Sequence, residues 1–277
     1  MKVSRFLRLS LVTLSLFLPA AGATAQATQK PFEPQVGQQG KDVIWVPTPD
    51  ALVSKMLDMA KVTPKDYVID LGSGDGRTVI AAAKRGARAL GIEYNPDMVE
   101  LSKRNAAKEG VSARANFVKA DIFESDFSEA TVITMYLLPS LNLKLRPIIL
   151  NLRPGTRIVS HAFSMDDWAA DQTESVESRT AYLWIVPAKV EGAWQLAQGE
   201  LFLAQNFQML LGTFRSGGNT VMISNGRLRG DQITFTAGGA EYTGRVNGNT
   251  IEGTIKGGGS GNWSATRAAR PAAAPAK

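Results

Sequence analysis

Val68-Ile69-Asp70-Leu71-Gly72-Ser73-Gly74-Asp75-Gly76-Arg77 is the stretch whose reading decides the fold. It opens as a short apolar strand, passes through three alternating glycines and leads into a helix over Thr78 to Arg85, ended by Gly86. A glycine turn between a parallel strand and a helix lets a ligand come close to the backbone, where a Cβ would block it. The pattern then repeats. Arg88 to Glu93 is a second strand, and Asn95-Pro96-Asp97 starts a helix with an asparagine cap and a first-turn proline. Asn116 to Phe123 and Thr131 to Tyr136 are the third and fourth strands. Leu141 to Leu152 is a helix that Pro147 should kink or interrupt, and Gly155 to Phe163 is a fifth strand. Arg179 to Ala188 and Ala193 to Leu196 read as closing strands. Such alternation predicts an α/β, Rossmann-like, doubly wound sheet.

Charge selects the ligand type. A dinucleotide loop needs glycine at its sixth position, where Arg77 stands, and Asp70 and Asp75 would repel a diphosphate. They suit instead a ligand with an ammonium and a sulfonium, S-adenosyl-L-methionine (SAM). Glu93 ends the second strand 93 − 70 = 23 positions after Asp70, near the interval at which an acid reaches a ribose. Asp121 can accept from an adenine amino group while Ile122 packs on the ring; the plainer reading of Asp121 is a loop cap. Upstream, Thr48-Pro49-Asp50 starts a helix with Thr48 as the capping hydroxyl. That helix either only covers the sheet or brings Pro47 and Thr48 beside the glycine loop. Ligands in open parallel sheets sit at the carboxyl ends of strands, so Tyr136 to Pro139 would border a reacting group. His161, the single histidine, is either a base or a packing residue.

The 277 residues leave room for one large domain or two smaller ones. Cysteine is absent, which excludes disulfides and thiolate chemistry, and one histidine argues against a zinc centre. The formal charge is +6, falling to 6 − 3 = +3 without Lys2, Arg5 and Arg8. The remaining cations are interleaved with acids, so no basic stripe points to nucleic acid. Residues 1–25 read as a secretory signal: those three cations, an apolar run from Leu9 to Leu18, and Ala23 and Ala25 before a cleavage point at Gln26. The rival reading is a mitochondrial presequence, since the segment is rich in Arg, Ser and Leu and lacks acids, but the unbroken apolar run and the Ala-x-Ala end favour export. The expected location is therefore the periplasm, with no permanent membrane span. Residues 26–42 read as a flexible linker, and Val43 to Val46 as a short edge strand stopped by Pro47. Residues 197–267 change texture to short alternating strands separated by Asn225-Gly226, Gly238-Gly239 and Asn247-Gly248-Asn249, a β-meander forming a small barrel or sandwich. Residues 268–277 are an Ala/Pro-rich tail, read as disordered.

Asp70 to Arg77, Gly91-Ile92-Glu93, Asn95-Pro96, Asp121 and the Val46-Pro47-Thr48 lead-in together resemble the class I (seven-β-strand) SAM-dependent methyltransferases, most of all their protein-lysine methyltransferase branch. The resemblance covers roughly residues 43 to 188 of a domain bounded at 43–196. It implies that Asp70 and the loop Gly72, Ser73, Gly74 and Gly76 hold the methionine part of SAM, Glu93, with Asn95 beside it, the ribose, and Asp121 with Ile122 the adenine. Tyr136 would orient an acceptor or take part in its deprotonation, or else only pack at its strand end; a protein lysine is one candidate acceptor. The expectation is a methyltransferase; the alternative is a non-catalytic exported SAM-fold module whose β-domain engages a partner.

Overall fold

The computed structural model describes residues 32–257 and 261–268. The signal-peptide reading at residues 1–25 and the tail beyond Ala268 fall outside the described residues. Both sheets belong to one compact unit that begins at Glu33.

Seven strands make the first sheet: β1 (Tyr67–Leu71), β2 (Arg88–Glu93), β3 (Ala115–Lys119), β4 (Val132–Met135), β5 (Arg157–His161), β6 (Gln172–Val176) and β7 (Arg179–Ile185). Their spatial order is β3-β2-β1-β4-β5-β7-β6, with the first five parallel and β7 antiparallel to both β5 and β6. Four helices accompany it: α1 (Asp50–Met59), α2 (Arg77–Lys84), α3 (Pro96–Lys108) and α4 (Pro139–Ile149). β1 and β4 are buried along nearly their whole length, as central parallel strands covered on both faces must be. α1, α2 and α3 close one face through Leu52, Met56, Val79, Ala82 and Val99. Ile69, Ile133, Leu145, Ile149 and Trp184 join a second cluster with Leu71 and Met135. The chain leaves β1 toward β2 on one side and returns to β4 on the other, so a crevice opens at the carboxyl end of β1.

The second sheet contains β8 (Gly192–Leu196), β9 (Gly199–Asn206), β10 (Met209–Ser216), β11 (Asn219–Met222), β12 (Ser224–Arg229), β13 (Gln232–Ala237), β14 (Ala240–Asn247), β15 (Thr250–Lys256) and β16 (Gly261–Arg267). Each pairs antiparallel with its neighbour, β16 pairs with β8, and β9 with β10, so the meander closes on itself as a barrel with no free edge along the ring. Its interior is solid. Phe235 stacks on Tyr242 at 4.7 Å, and Trp263 meets both rings edge-on.

Several expectations change. Ala193 to Leu196 does not close the α/β sheet; as β8 it pairs with β9 and β16, because the inward Trp194 and Leu196 find their core in the barrel. Asn225-Gly226 is not a turn but an irregularity between β12 and β13, where Asn225 takes φ 53° and the register shifts between Ser224 and Arg227. Gly238-Gly239 does form its hairpin, with φ of 56° and 82°, values open to glycine at little cost. Pro147 does not interrupt α4, which begins at Pro139 and runs to Ile149; standing near the end, the proline forfeits one helical hydrogen bond. Val43 to Val46 forms no strand beyond a bridge from Ile44 to Gln39. The second half of the expected flexible linker is instead a folded hairpin, with Gly37 N–H donating to the Trp45 carbonyl and Trp45 N–H to the Gln38 carbonyl, each at 2.9 Å. β6 carried no apolar signal, since Gln172-Thr173-Glu174-Ser175-Val176 is a half-exposed edge.

The two sheets meet through the turn between β9 and β10. Gln208, buried, accepts from Trp168 Nε1 at 3.0 Å and donates to the Ala169 carbonyl at 2.7 Å, while Phe207 stacks on Trp168 at 5.8 Å. Arg227 donates to Asp171 at 2.7 Å beside them. Gln208→Ala orphans a buried indole N–H and a carbonyl, so it should lower the unfolding free energy in urea by about 1–3 kcal/mol. An unchanged midpoint would mean that this seam does not hold the two sheets together.

Candidate active site

A cavity of about 480 Å³ opens at the carboxyl ends of β1 to β4, a size suited to a small ligand. Ten of the eleven residues assigned to the ligand from sequence or from the resemblance line it: Pro47, Thr48, Asp70, Gly72, Ser73, Gly74, Glu93, Asn95, Asp121 and Ile122; so does Tyr136. Gly76 does not. It precedes α2 with φ 83°, and a Cβ there would meet Phe117 at 2.7 Å and Ser102 at 2.8 Å, so its glycine serves packing against α3 and β3.

The loop is built against β2. Gly72 and Ser73 N–H both donate to the Ile92 carbonyl, at 2.9 and 3.1 Å. Gly74 N–H donates to Glu93 Oε2 and Asn95 N–H to Glu93 Oε1, both at 2.9 Å. Asn95 then accepts from Asp97 N–H at 2.9 Å, as the cap of α3. Two carboxylate oxygens have about four acceptor sites, so Glu93 still has lone pairs for a vicinal diol. Ser73 Oγ is buried with no partner.

The carboxylates at this site are in three different states. Asp75, whose charge weighed against a diphosphate, is clamped by Arg77 Nε at 3.0 Å and NH2 at 2.6 Å. Asp121 caps its own loop by accepting from Phe123 N–H at 2.9 Å, and it also lines the cavity. Lys41 pairs with its other oxygen and lies 4.6 Å from the Tyr94 ring centre; that hydrogen bond holds the Asp121 carboxyl below its usual range. Asp70 is buried and meets the Thr134 hydroxyl at 2.6 Å. Burial pushes its pKa up to about 7, with Glu93 and Asp75 adding to the rise against the Thr134 and Thr78 hydroxyls.

Thr48 does not cap α1, which has no side-chain cap. Its hydroxyl lies 3.0 Å from His161 Nδ1, and its carbonyl accepts from Arg77 NH1 at 3.0 Å. His161 itself is buried behind the wall, its ring 3.8 Å from that of Tyr136. Burial, then the Arg179 charge, pushes its pKa down to about 4, which removes it as a cationic acid near neutrality. Leu138, within the Tyr136 to Pro139 turn expected at the reacting group, lines the cavity; sequence reasoning missed Lys41, Trp45 and Phe163, which line it too. For Trp45 the signal was Gly74, where a Cβ would stand 2.7 Å from the indole Nε1. Among the described residues no cluster of three metal-ligating side chains occurs, and no helix is long and apolar enough to cross a membrane.

A protein-lysine N-methyltransferase of Saccharolobus islandicus is 44% identical over 151 residues, a match spanning 52% of this chain and 94% of that protein. The chain belongs to the class I SAM-dependent methyltransferases, beside the lysine methyltransferases. A family model described as the ANTKMT methyltransferase domain matches residues 70–172 of this methyltransferase. The adenine nucleotide translocase lysine N-methyltransferase of Mus musculus is 36% identical, over 42% of this chain and 51% of its own length. A crystal structure described as an RNA methyltransferase from Salinibacter ruber, in complex with S-adenosyl-L-homocysteine, is 50% identical with a TM-score of 0.51, covering 52% of this chain and 96% of that one. SAM is thus the methyl donor of the enzyme.

Folded Asp70 keeps its proton up to about pH 7, whereas in an unfolded chain it is released near 4. Its contribution to stability is therefore present in full below about pH 4 and lost as pH rises through 7. His161, with its pKa lowered to about 4, contributes the opposite slope between 6.5 and 4. Relative to wild type, Asp70→Asn should gain about 2 kcal/mol in urea unfolding between pH 5 and pH 8. A constant difference across that range would contradict the assignment.

Proposed function

We propose that this enzyme is a protein-lysine N-methyltransferase whose SAM lies along the glycine loop, with Asp70 and Gly72 to Gly74 at its methionine part, Glu93 at the ribose and Asp121 with Ile122 at the adenine. The residues fit that ligand. Gly72 and Gly74 leave backbone bare where a Cβ would stand 3.2 Å from Leu137 and 2.7 Å from Trp45, and Ser73 Oγ has an unmet hydrogen bond. Bound SAM would supply a methyl group carried on a sulfonium sulfur, which a neutral amine nitrogen would take by in-line displacement as the carbon–sulfur bond breaks and S-adenosyl-L-homocysteine leaves. The chain's own part is alignment and exclusion of water.

The observation that carries the lysine assignment is the composition of the cavity beyond Asp70. Tyr136, Leu138 and Phe163 form an apolar wall, with Leu138 43% exposed, which suits the methylene stem of lysine. Among the described residues, the only Lys and Arg lining the cavity are Lys41 and Arg77, and both already face carboxylates, Asp121 and Asp75. A polynucleotide would need cations for its phosphates. The relatives named as lysine methyltransferases point the same way, against the RNA methyltransferase named above. Tyr136 is the group proposed to orient the acceptor nitrogen. The leader at residues 1–25 supports the further proposal of an exported enzyme; an unprocessed Met1 in a cytoplasmic fraction would remove it.

Calorimetric titration of the full chain with SAM and with S-adenosyl-L-homocysteine tests the site. Glu93→Ala should weaken SAM binding by about 1–3 kcal/mol, roughly 5–150-fold, through loss of charge-assisted hydrogen bonds. Unchanged affinity would end the ribose assignment. Labelled methyl from SAM should appear as methyl-lysine in a protein fraction and not in RNA. Label in RNA alone would reverse the acceptor class, and absence of SAM binding would return the chain to a non-catalytic role.

A further inference from the structure

His161 lies outside the roles assigned so far. It is 3% exposed, it ends β5, and it stands behind the cavity wall rather than in it. Three contacts converge on it. Its Nδ1 is 3.0 Å from the Thr48 hydroxyl. Its ring lies against Tyr136, centroids 3.8 Å apart and planes inclined by 32°. Its carbonyl accepts from Phe163 N–H at 2.8 Å, closing a three-residue turn at Ala162, whose φ is +64°. Positive φ at the centre of such a turn marks its rarer, strained hand, and strain of this kind persists only where the surroundings hold it. The turn puts Phe163 into the cavity wall and leaves His161 underneath.

Thr48 is held at both of its polar groups, the hydroxyl by His161 and the carbonyl by Arg77 NH1 at 3.0 Å. Tyr136 is backed by His161 on one side, with Phe163 at 6.1 Å and only 24° from parallel. Thr48 and Tyr136 both line the cavity. We propose that His161 is a positioning residue for methyl transfer: it fixes Thr48 and Tyr136 at the reacting end and acts through them, taking no proton from the acceptor. The assignment rests on the reading of this cavity as the methyl-transfer site.

The chemistry favours a neutral imidazole there. It offers one donor and one acceptor, so it can meet the Thr48 hydroxyl in either sense. A cation directly behind Tyr136 would oppose both the sulfonium and the positive charge that develops on the acceptor nitrogen as it takes the methyl. The groups facing the ring are Thr48, Tyr136 and the Arg179 charge, and burial and Arg179 both disfavour protonation.

As the only histidine in the chain, His161 can be observed alone by ¹⁵N NMR of the full-length protein. The expected spectrum shows one neutral tautomer unchanged from pH 8 to pH 5.5, which becomes a mixture in Thr48→Val. Titration near 6.5, or indifference to Thr48→Val, overturns the proposal without any activity assay. In turnover of SAM with poly-L-lysine as the probe, Thr48→Val and His161→Phe should each lower kcat about tenfold, and His161→Phe, behind the wall, should leave SAM affinity within about twofold. The double variant should be no slower than either single one, since both remove the same contact. His161→Asn, which keeps an amide near the Nδ1 position, should recover part of the loss of His161→Phe. An additive, hundredfold loss overturns the proposal, and so does a pH profile of kcat that loses its acid limb in His161→Phe, as a proton acceptor would require. A wild type that binds no SAM refutes the underlying site instead, and the NMR result then decides the His161–Thr48 contact alone.

Discussion

The turn from Gly72 to Gly76 can lie against β2 only because nothing stands between them. A Cβ on Gly91 would sit 2.4 Å from Ser73 Oγ and 2.7 Å from Phe117. With that atom missing, two loop N–H groups reach the Ile92 carbonyl and a third reaches Glu93. The carboxylate of Glu93 therefore does two things at once. It braces the loop and α3 through Gly74 and Asn95, and it presents its remaining lone pairs to the cavity. Brace and cavity lining are the same residue, so its position is set by the loop and helix it holds.

Charge is distributed around that cavity unevenly. Asp75 is neutralised by Arg77, and Asp121, nearer solvent, by Lys41. Asp70 meets a hydroxyl, Thr134, while the nearby acids Glu93 and Asp75 add to the effect of burial, and its raised pKa records a shortage of positive charge at the inner end of the cavity. A ligand with fixed positive charge corrects that shortage, whereas a diphosphate would deepen it. The preference for a cationic ligand therefore rests on Asp70 and Glu93, because Asp75 and Asp121 are already paired.

Where the sequence was legible, one local cause dominated. The parallel strands β1, β2 and β4 read plainly because central burial demands unbroken apolar runs, and α3 because asparagine and proline mark its start. Ten of the eleven ligand assignments reached the cavity because strand ends and the glycine loop fix them by topology. Gly76 failed because three glycines in one loop look alike, though one of them answers to Phe117 and Ser102 across the fold. Thr48 failed as a cap because its partner, His161, is 113 positions away. Lys41 sits in a stretch with the composition of a linker and Trp45 in one that reads as a short edge strand; a local hairpin folds them, and contact with Asp121 and Gly74, which no local window contains, brings them to the cavity. The boundary near residue 196 slipped for the same reason: β8 has the alternation of either sheet, and only its pairing with β16, far along the chain, assigns it to the barrel.

That barrel is joined to the site by more than covalent connection. The turn carrying Phe207 and Gln208 is inserted against the segment that follows β5, where Gln208 meets both Trp168 and Ala169. Arg146 of α4 links the same region, donating to the Met165 carbonyl at 2.9 Å and lying 5.4 Å from the Phe207 ring centre. Asn142, one helical turn earlier, donates to the carbonyls of Phe163 and Ser164, each at 3.2 Å. The contacts therefore run from the barrel tip through Trp168 and Arg146 to the residue that walls the cavity. A strained turn at Ala162 needs support beside it, and Asn142, at the carbonyls of Phe163 and Ser164, supplies part of it. The second sheet therefore packs against the segment that continues from one side of the cavity wall, while the glycine loop and Glu93 brace the other side from within the first.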